Sequence, residues 1–569
     1  MGTMGAVVRK MVRSPYFWLA VIGLLLFSIT FFSGFVDDDL AQVVNQNHVH
    51  NLHGLIWSFR IGEGLFRPLM FSYFTLCYAL FGLHAWGYHL FEVAFGLANV
   101  LLVYWVLRQF FSQNLAFWLA VVFLVSPLNV DAVSYVSHIQ DVLFLFFGLL
   151  CLRVVKSGVR NWLKTLLVIV LLLASLLSKE TGALFLPMII IFTWWFTQRG
   201  QKAIYAGAGL AIVIYVFLRE IAPNDHSILP PFAPVSHFGL GMRLLQIPSI
   251  IWFYLSNFIF PRHLSISRLN VATDVSLVHF WLPLIAELII LGFIIWLGFF
   301  IYRGHKKHWR TFCFFFIWLA LGLGFHSQIK PIFDATYSNW WFYFPMVGLL
   351  GLAGVAITAF WPRGYDWKHQ PWLVGFLVIW LLFLLSQNVY RQLNFHSEKN
   401  LVTHDISVNS NSYLLQNEYG SLLISEGRYA EAQIPLYKSI SLLTDRNSAW
   451  DDLGVAYYSQ GNAIEARDYF KKAVEYYPDD VEGYYNYASS LINSFQPDGI
   501  KDFLSMAIKR FPDDVFLWQL RAAAYDLYGD SVESARAQTK AYQLAREQHV
   551  QLSVEHRPGE PFNIKLQTQ

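Results

Sequence analysis

Three carboxylates stand in a row at Asp37, Asp38 and Asp39, directly after an apolar run over residues 18–35. Adjacent carboxylates repel, which raises the pKa of one of them. A carboxylate at the edge of a membrane can act as a general base, ligate a metal, or start the next helix, where acid is favoured. Downstream, His48, His50 and His53 are spaced by two and three residues, a spacing suggestive of a metal. It fixes no coordination geometry, however, and a solvated loop is the expected outcome. Cys77, Cys151 and Cys313 lie far apart in apolar stretches and offer neither a disulfide framework nor zinc spacing. No metal or other cofactor is required, and a divalent cation at the aspartate triplet is not favoured.

The elements that must position these groups belong to a membrane protein with a soluble part. Of 569 residues, 56% are hydrophobic and only 14% charged, well below the charge of a soluble domain. The net charge of +3 points to no nucleic-acid partner. The run over 18–35 is long enough to cross a bilayer, and charge leaves hydrocarbon where water begins. Because this run is too long for a signal peptide and ends in acid, it is expected to be a retained first span. Arg9, Lys10 and Arg13 place the N-terminus in the cytoplasm, so the triplet emerges on the outer side. A long outer loop follows over residues 40–85, amphipathic over 71–83 as in an interfacial helix. Further apolar segments cover 86–107, 115–128, 133–155, 162–178, 182–198, 203–218, 279–302, 311–325, 341–361 and 371–388, making about eleven spans. The segment 242–260 is expected to be interfacial or re-entrant. As a full span it would put the basic loop 303–310 outside, against the positive-inside rule. An odd number of spans puts the C-terminal region on the side of the triplet.

From residue 413 the composition turns polar and helical. Trp450, Leu453, Gly454, Tyr457, Gly461, Ala466, Phe470, Ala473 and Pro478 follow the tetratricopeptide pattern, and shifting by the 34-residue period finds it again in about four units. Gly420, Gly427 and Ala432 come earlier; Tyr484, Ala488, Ala507 and Pro512, then Trp518, Ala522, Tyr525, Gly529 and Ala541, come later. Such a stack makes a concave groove that binds peptides or proteins, or else a purely structural cap. The expected fold is all-α, a polytopic helical membrane domain followed by a helical-repeat solenoid. The expected boundaries are 1–390 for the membrane domain, 391–412 for a linker, 413–548 for the repeats and 549–569 for a loose tail.

With these motifs the chain resembles the transmembrane and tetratricopeptide-repeat-containing family of protein O-mannosyltransferases, in the class C glycosyltransferase superfamily. Phe35-Val36 followed by Asp38-Asp39 resembles the family's aromatic-Val-x-Asp-Asp, and Arg67-Pro68-Leu69 its Arg-Pro-Leu. The stretch from Pro127 through Asp131-Ala132-Val133 is similar to its Pro-x-x-x-Glu-Ala-Val, with Asp for Glu. Ser178-Lys179-Glu180 and Tyr343-Phe344-Pro345 with Gly348 also match. Three positions depart. Ile139-Gln140-Asp141 lacks the family's arginine, Trp340 stands where an arginine is expected before Tyr343, and Glu92 replaces the asparagine after a matching His89. These departures bear on which sugar is carried more than on the reaction. The short array and the lack of any Asn-x-Ser/Thr sequence favour a bacterial inner-membrane relative with its repeats in the periplasm. The alternative is the endoplasmic reticulum membrane with the repeats in the lumen.

The resemblance implies inverting transfer of a sugar from a polyprenyl-phosphate carrier to an acceptor hydroxyl, as in protein O-glycosylation. It implies Asp38 as the base, with Asp39 and Asp37 tuning it or orienting the acceptor. Arg67 and Lys179, with Lys330 behind them, are the candidates for the lipid phosphate; Asp131 and His89 are candidates for orienting acceptor or sugar. The implied partners are the lipid-linked donor, membrane lipids, and an acceptor protein or glycan met through the repeats. Structural readings compete: Arg67 snorkels at the interface, Lys179 and Glu180 pair with each other, and Trp340-Trp341 form an aromatic belt. Competing functions are an oligosaccharide ligase or polymerase using a lipid diphosphate, a non-catalytic membrane scaffold, and a transporter. A transporter should show charged or broken helices at mid-membrane, whereas most ionisable residues here map to segment ends.

Overall fold

A computed structural model describes residues 12–60, 66–197, 200–222, 238–262, 264–266, 275–330, 336–361, 371–445, 447–493, 499–547, 550–555 and 563–568. Arg9, Lys10 and Arg199 lie outside the described residues. Backbone amides in hydrocarbon have no water to bond, so a chain this apolar satisfies them within helices. Nine helices among the described residues are long and apolar enough to cross a membrane: Pro15–Phe32, Ala85–Arg108, Val136–Lys156, Asn161–Ser178, Gln201–Ile221, Leu277–Gly304, Lys306–Phe325, Asn339–Phe360 and Pro371–Asn394. Two further segments expected to span take other forms. Gln113–Val125 and Pro127–Val133 form a pair bent by 58°, and Glu180–Phe196 is a shorter apolar helix. The bend falls where Ser126 leaves the helix in an extended conformation and Pro127 follows. Proline disfavours a helical residue before it and cannot donate to the ladder.

The outer-loop segment is a helix over Pro68–Phe81, opened by Pro68 at its first turn, and it buries Met70, Phe71 and Phe74 while exposing Leu76 and Leu80. Leu240–Ile259 is a 20-residue helix with Pro248 inside it; it is not among the nine. The core of the membrane unit is aromatic and aliphatic. Its most enclosed part is the broken turn, for every residue from Phe123 to Leu145 is buried.

The chain divides into two compact units, Met1–His404 and Asp405–Gln569, and the helix Glu398–Val408 runs through the division. In the second unit, helix pairs repeat four times: Tyr413–Ser425 with Tyr429–Leu442, Ala449–Ser459 with Ala463–Tyr476, Val481–Asn493 with Ile500–Arg510, and Val515–Leu527 with Ser531–Glu547. Gly427, Gly461 and Gly529 turn between paired helices at φ of 75°, 85° and 74°, a region glycine enters without steric cost. Gly454 lets two helices close, because a Cβ there would lie 2.4 Å from the Phe470 ring. The tail departs from helix. Val550–Glu555 and Asn563–Thr568 pair as antiparallel strands, where the lack of apolar periodicity reads as a loose end.

Candidate active site

The first span ends in a short 3-10 segment, Phe27–Phe32, and the chain then turns sharply through the triplet. Asp37 takes φ of +48°, a left-handed conformation that costs a non-glycine residue roughly 1–2 kcal/mol. The turn is held from several directions. Tyr135 donates its hydroxyl to Asp37 Oδ2 at 2.9 Å and accepts the Asp38 amide at 2.8 Å. The Asp37 amide donates to Glu398 Oε2 at 2.6 Å. Asp39 is fully buried; its Oδ1 accepts the Ser137 amide at 2.7 Å and the Ser137 hydroxyl at 2.6 Å, and its Oδ2 accepts the Val36 amide at 3.2 Å.

Asp38 differs from its neighbours. Its backbone is pinned, yet its carboxylate bonds to none of the described residues. Burial pushes Asp38 up to about 6, with the Arg67 guanidinium pulling the other way. Burial also carries Asp37 well above the carboxylate range, with the charges of Asp38 and Glu398 adding to it. Asp39 is pushed up to about 8 by burial, against its bonds from Ser137 and Val36. Of the three, Asp38 is the one that combines a shift toward neutral pH with a carboxylate not engaged by the described residues, whereas Asp39 is held by Ser137 and Val36.

The cations come from two other elements. Arg67, at the N-terminal edge of Pro68–Phe81, bonds Glu180 Oε2 through Nε at 3.1 Å and Nη2 at 3.0 Å, and among the described residues Nη1 has no hydrogen-bond partner. Lys179 is buried in the extended joint between Asn161–Ser178 and the following helix. Its ammonium touches both oxygens of Asp141 at 2.7 Å. Thus Lys179 and Glu180 do not pair with each other, and Arg67 is buried instead of snorkelling. Lys330 is exposed and makes no hydrogen bond or ion pair with the described residues of this cluster.

The broken turn joins these parts. Tyr135 follows it directly, and Ser137 and Asp141 open the next span, Val136–Lys156. Asp131 on the broken turn has both oxygens occupied: Arg391 Nε reaches Oδ1 at 2.8 Å, Arg391 Nη2 reaches Oδ2 at 3.2 Å, and Asn339 Nδ2 reaches Oδ2 at 2.8 Å. His138 Nδ1 bonds the Asp131 carbonyl at 2.9 Å, and its ring packs on Trp340 at 3.8 Å. Trp340 and Trp341 are buried, so they form no belt facing lipid. His89 sits behind the triplet and pairs with Glu92 at 2.9 Å, both fully buried. The three loop histidines diverge. His48 stacks on Trp57 and His50 on Tyr78, and His50 Nε2 bonds the Val43 carbonyl. Among the described residues no group of three or more His, Cys, Asp or Glu is arranged to hold a metal ion.

Residues 67–221 match the model of the dolichyl-phosphate-mannose-protein mannosyltransferase family, and residues 448–480 match the tetratricopeptide repeat. The chain thus carries a stretch similar to mannosyltransferase-type membrane glycosyltransferases, ahead of a tetratricopeptide repeat. The matched stretch holds Arg67, His89, Asp131, Asp141 and Lys179, and the triplet lies ahead of it. No curated protein matches the chain. Among solved structures, MamA aligns at 18% identity over 26% of this chain and 82% of its own, with a TM-score of 0.24. YrrB, described as a tetratricopeptide protein with an unusual peptide-binding site, aligns at 16% identity over 28% and 78%, with a TM-score of 0.23. PilF of Pseudomonas aeruginosa aligns at 16% identity over 43% and 93%, also at 0.23.

Tyr135, Ser137, Arg391 and Glu398 complete the site without having been singled out in the sequence. The one available signal was Arg391, a lone arginine just past an apolar run.

Proposed function

We propose that this glycosyltransferase moves a sugar from a polyprenyl-phosphate carrier to an acceptor hydroxyl, with inversion, and that the acceptor is a protein. The single observation that carries the reading is the unpaired carboxylate of Asp38 between two held aspartates, beside Arg67. In the step, the acceptor oxygen bonds to the anomeric carbon and the bond from that carbon to the lipid phosphate oxygen breaks. The hydroxyl proton passes to Asp38. The phosphate leaves with one more negative charge, which Arg67 through its open Nη1 and Lys179 through its remaining donor are suited to steady. Asp39 and Asp37 hold the turn and raise the basicity of its surroundings, and His89 backs it. Asp131, engaged by Arg391 and Asn339, acts on the acceptor only through the turn that it anchors.

The reading places the site on the extracytoplasmic face of a bacterial inner membrane, with the repeats recruiting the acceptor in the periplasm. Arg13 and the basic loop Arg303, Lys306, Lys307 and Arg310 support that orientation. The test is transfer by the purified full chain from polyprenyl-phosphate sugars to a serine- or threonine-bearing peptide, with the anomeric configuration of the product read by NMR. Transfer from a lipid diphosphate alone would replace this reading with that of a ligase. A retained configuration would remove Asp38 as a simple base. Impermeant labelling of a cysteine at Ser448 but not at Gly304 in intact cells is the expected topology.

A further inference from the structure

The triplet is held not only by its own neighbourhood but by the stretch just after the last membrane helix. Gly34 donates its amide to the His396 carbonyl at 3.2 Å. The Phe395 ring is fully buried and packs 5.7 Å from Tyr135. Glu398, the first residue of the helix that leads into the repeats, accepts the Asp37 amide across 361 positions of sequence. These contacts flank the one left-handed residue of the turn. A left-handed aspartate persists only where its surroundings over-determine it, and the Asp37 N–H is the backbone donor that this conformation turns toward Glu398.

We propose that Glu398 is a positioning residue for Asp38: by accepting the Asp37 amide it fixes the turn that leaves the Asp38 carboxylate unpaired beside Arg67. The inference rests on the reading of Asp38 as the base. It has a functional consequence, because Glu398, in the membrane unit, then forms part of the site. Displacing Glu398 releases the turn, and a base displaced by about 1 Å loses on the order of a hundredfold in rate.

The charged and titratable groups facing the turn are Asp39, Tyr135, Arg67 and Glu398, with Glu92 behind Asp39. Replacing Glu398 by glutamine keeps an acceptor oxygen but removes one of these negative charges. The Glu398 charge raises Asp37, whereas Asp38 answers to burial and to Arg67, so the acid limb set by Asp38 stays in place. Replacing it by alanine removes the acceptor as well.

The experiment compares full-length wild type, Glu398→Gln and Glu398→Ala in two assays. The first is lipid-donor transfer across pH. The second is amide hydrogen exchange of the peptide covering residues 33–40. The expected result is that Glu398→Ala lowers kcat roughly 10- to 100-fold with donor KM within about twofold, and speeds exchange in that peptide. Glu398→Gln should keep kcat within about threefold and exchange as slow as in the wild type, with its acid limb unmoved. Alanine retaining more than half of kcat, or slow exchange in the alanine variant, overturns the proposal. Glutamine as damaged as alanine also overturns it. If alanine fails to fold, Glu398→Leu takes its place and is held to the same outcomes. If wild type transfers nothing from any lipid phosphosugar while the exchange pattern holds, the transferase reading fails and the hold of Glu398 on the turn stands.

Discussion

Arg391 is the strongest test of how the site is assembled. Its side chain is 1% exposed and Asp131 is 0% exposed. Arg391 supplies two of the three hydrogen bonds to that carboxylate and also lies over the Phe395 ring at 4.8 Å. Replacing Arg391 by methionine leaves a carboxylate in a dry interior with Asn339 as its one remaining donor. Breaking a buried pair from one side costs about 3–5 kcal/mol. Neighbouring bonds do not make up the loss, because Asn388 and Gln392 on the same helix already serve the Val125, Ser126 and Leu26 carbonyls. Removing both charges together, as Asp131→Leu with Arg391→Met, leaves neither member of this pair as a lone buried charge and should regain most of the stability. The measurement is reversible unfolding in mixed micelles for wild type, both single variants and the double. A single-variant loss below about 1 kcal/mol, or a double variant no more stable than the singles, would refute the pairing as the anchor of the broken turn.

Three further outcomes follow from the geometry. Asp38 sits at about 6 because burial disfavours its charge, so the base is ionised above that pH. The value of kcat/KM should fall about tenfold per pH unit below it, and a profile flat from pH 5 to 8 would contradict this. Tyr135→Phe removes the donor to Asp37 and the acceptor of the Asp38 amide; a loss of about 1 kcal/mol of positioning predicts roughly a fivefold fall in transfer with binding of donor unchanged. In the repeats, Gly454→Ala drives a methyl into the Phe470 ring and should destabilise by about 1–3 kcal/mol, seen as faster amide exchange over residues 449–476.

The helical membrane domain was legible because its physics is local. A run of apolar residues, closed by charge, determines a span without reference to the rest of the chain. The repeats were legible for a similar reason, since small residues recur wherever two helices touch, as Gly454 does against Phe470. The triplet could be found as well, from its place after the first span. The partners could not. Asp131 and Arg391 are 260 positions apart, Asp37 and Glu398 are 361 apart, and nothing in either neighbourhood encodes the other. Lys179 is next to Glu180 in sequence, yet the extended backbone at Lys179 sends the two side chains to different partners, Asp141 and Arg67. Trp340 reads as a belt residue from its type; only packing against His138 makes it part of the interior.

The account stands most directly on Asp38→Asn. Asparagine keeps the size of the side chain and takes away the proton acceptor, while Tyr135 still pins the backbone amide. A base of this kind is worth about two to four orders of magnitude. The measurement is transfer from purified lipid donor together with donor binding. The account predicts a variant that folds, binds donor like the wild type, and transfers less than about one hundredth as fast, whereas Asp37→Asn is milder. An Asp38→Asn enzyme retaining more than about a tenth of wild-type transfer, or one that loses donor binding along with transfer, would contradict it.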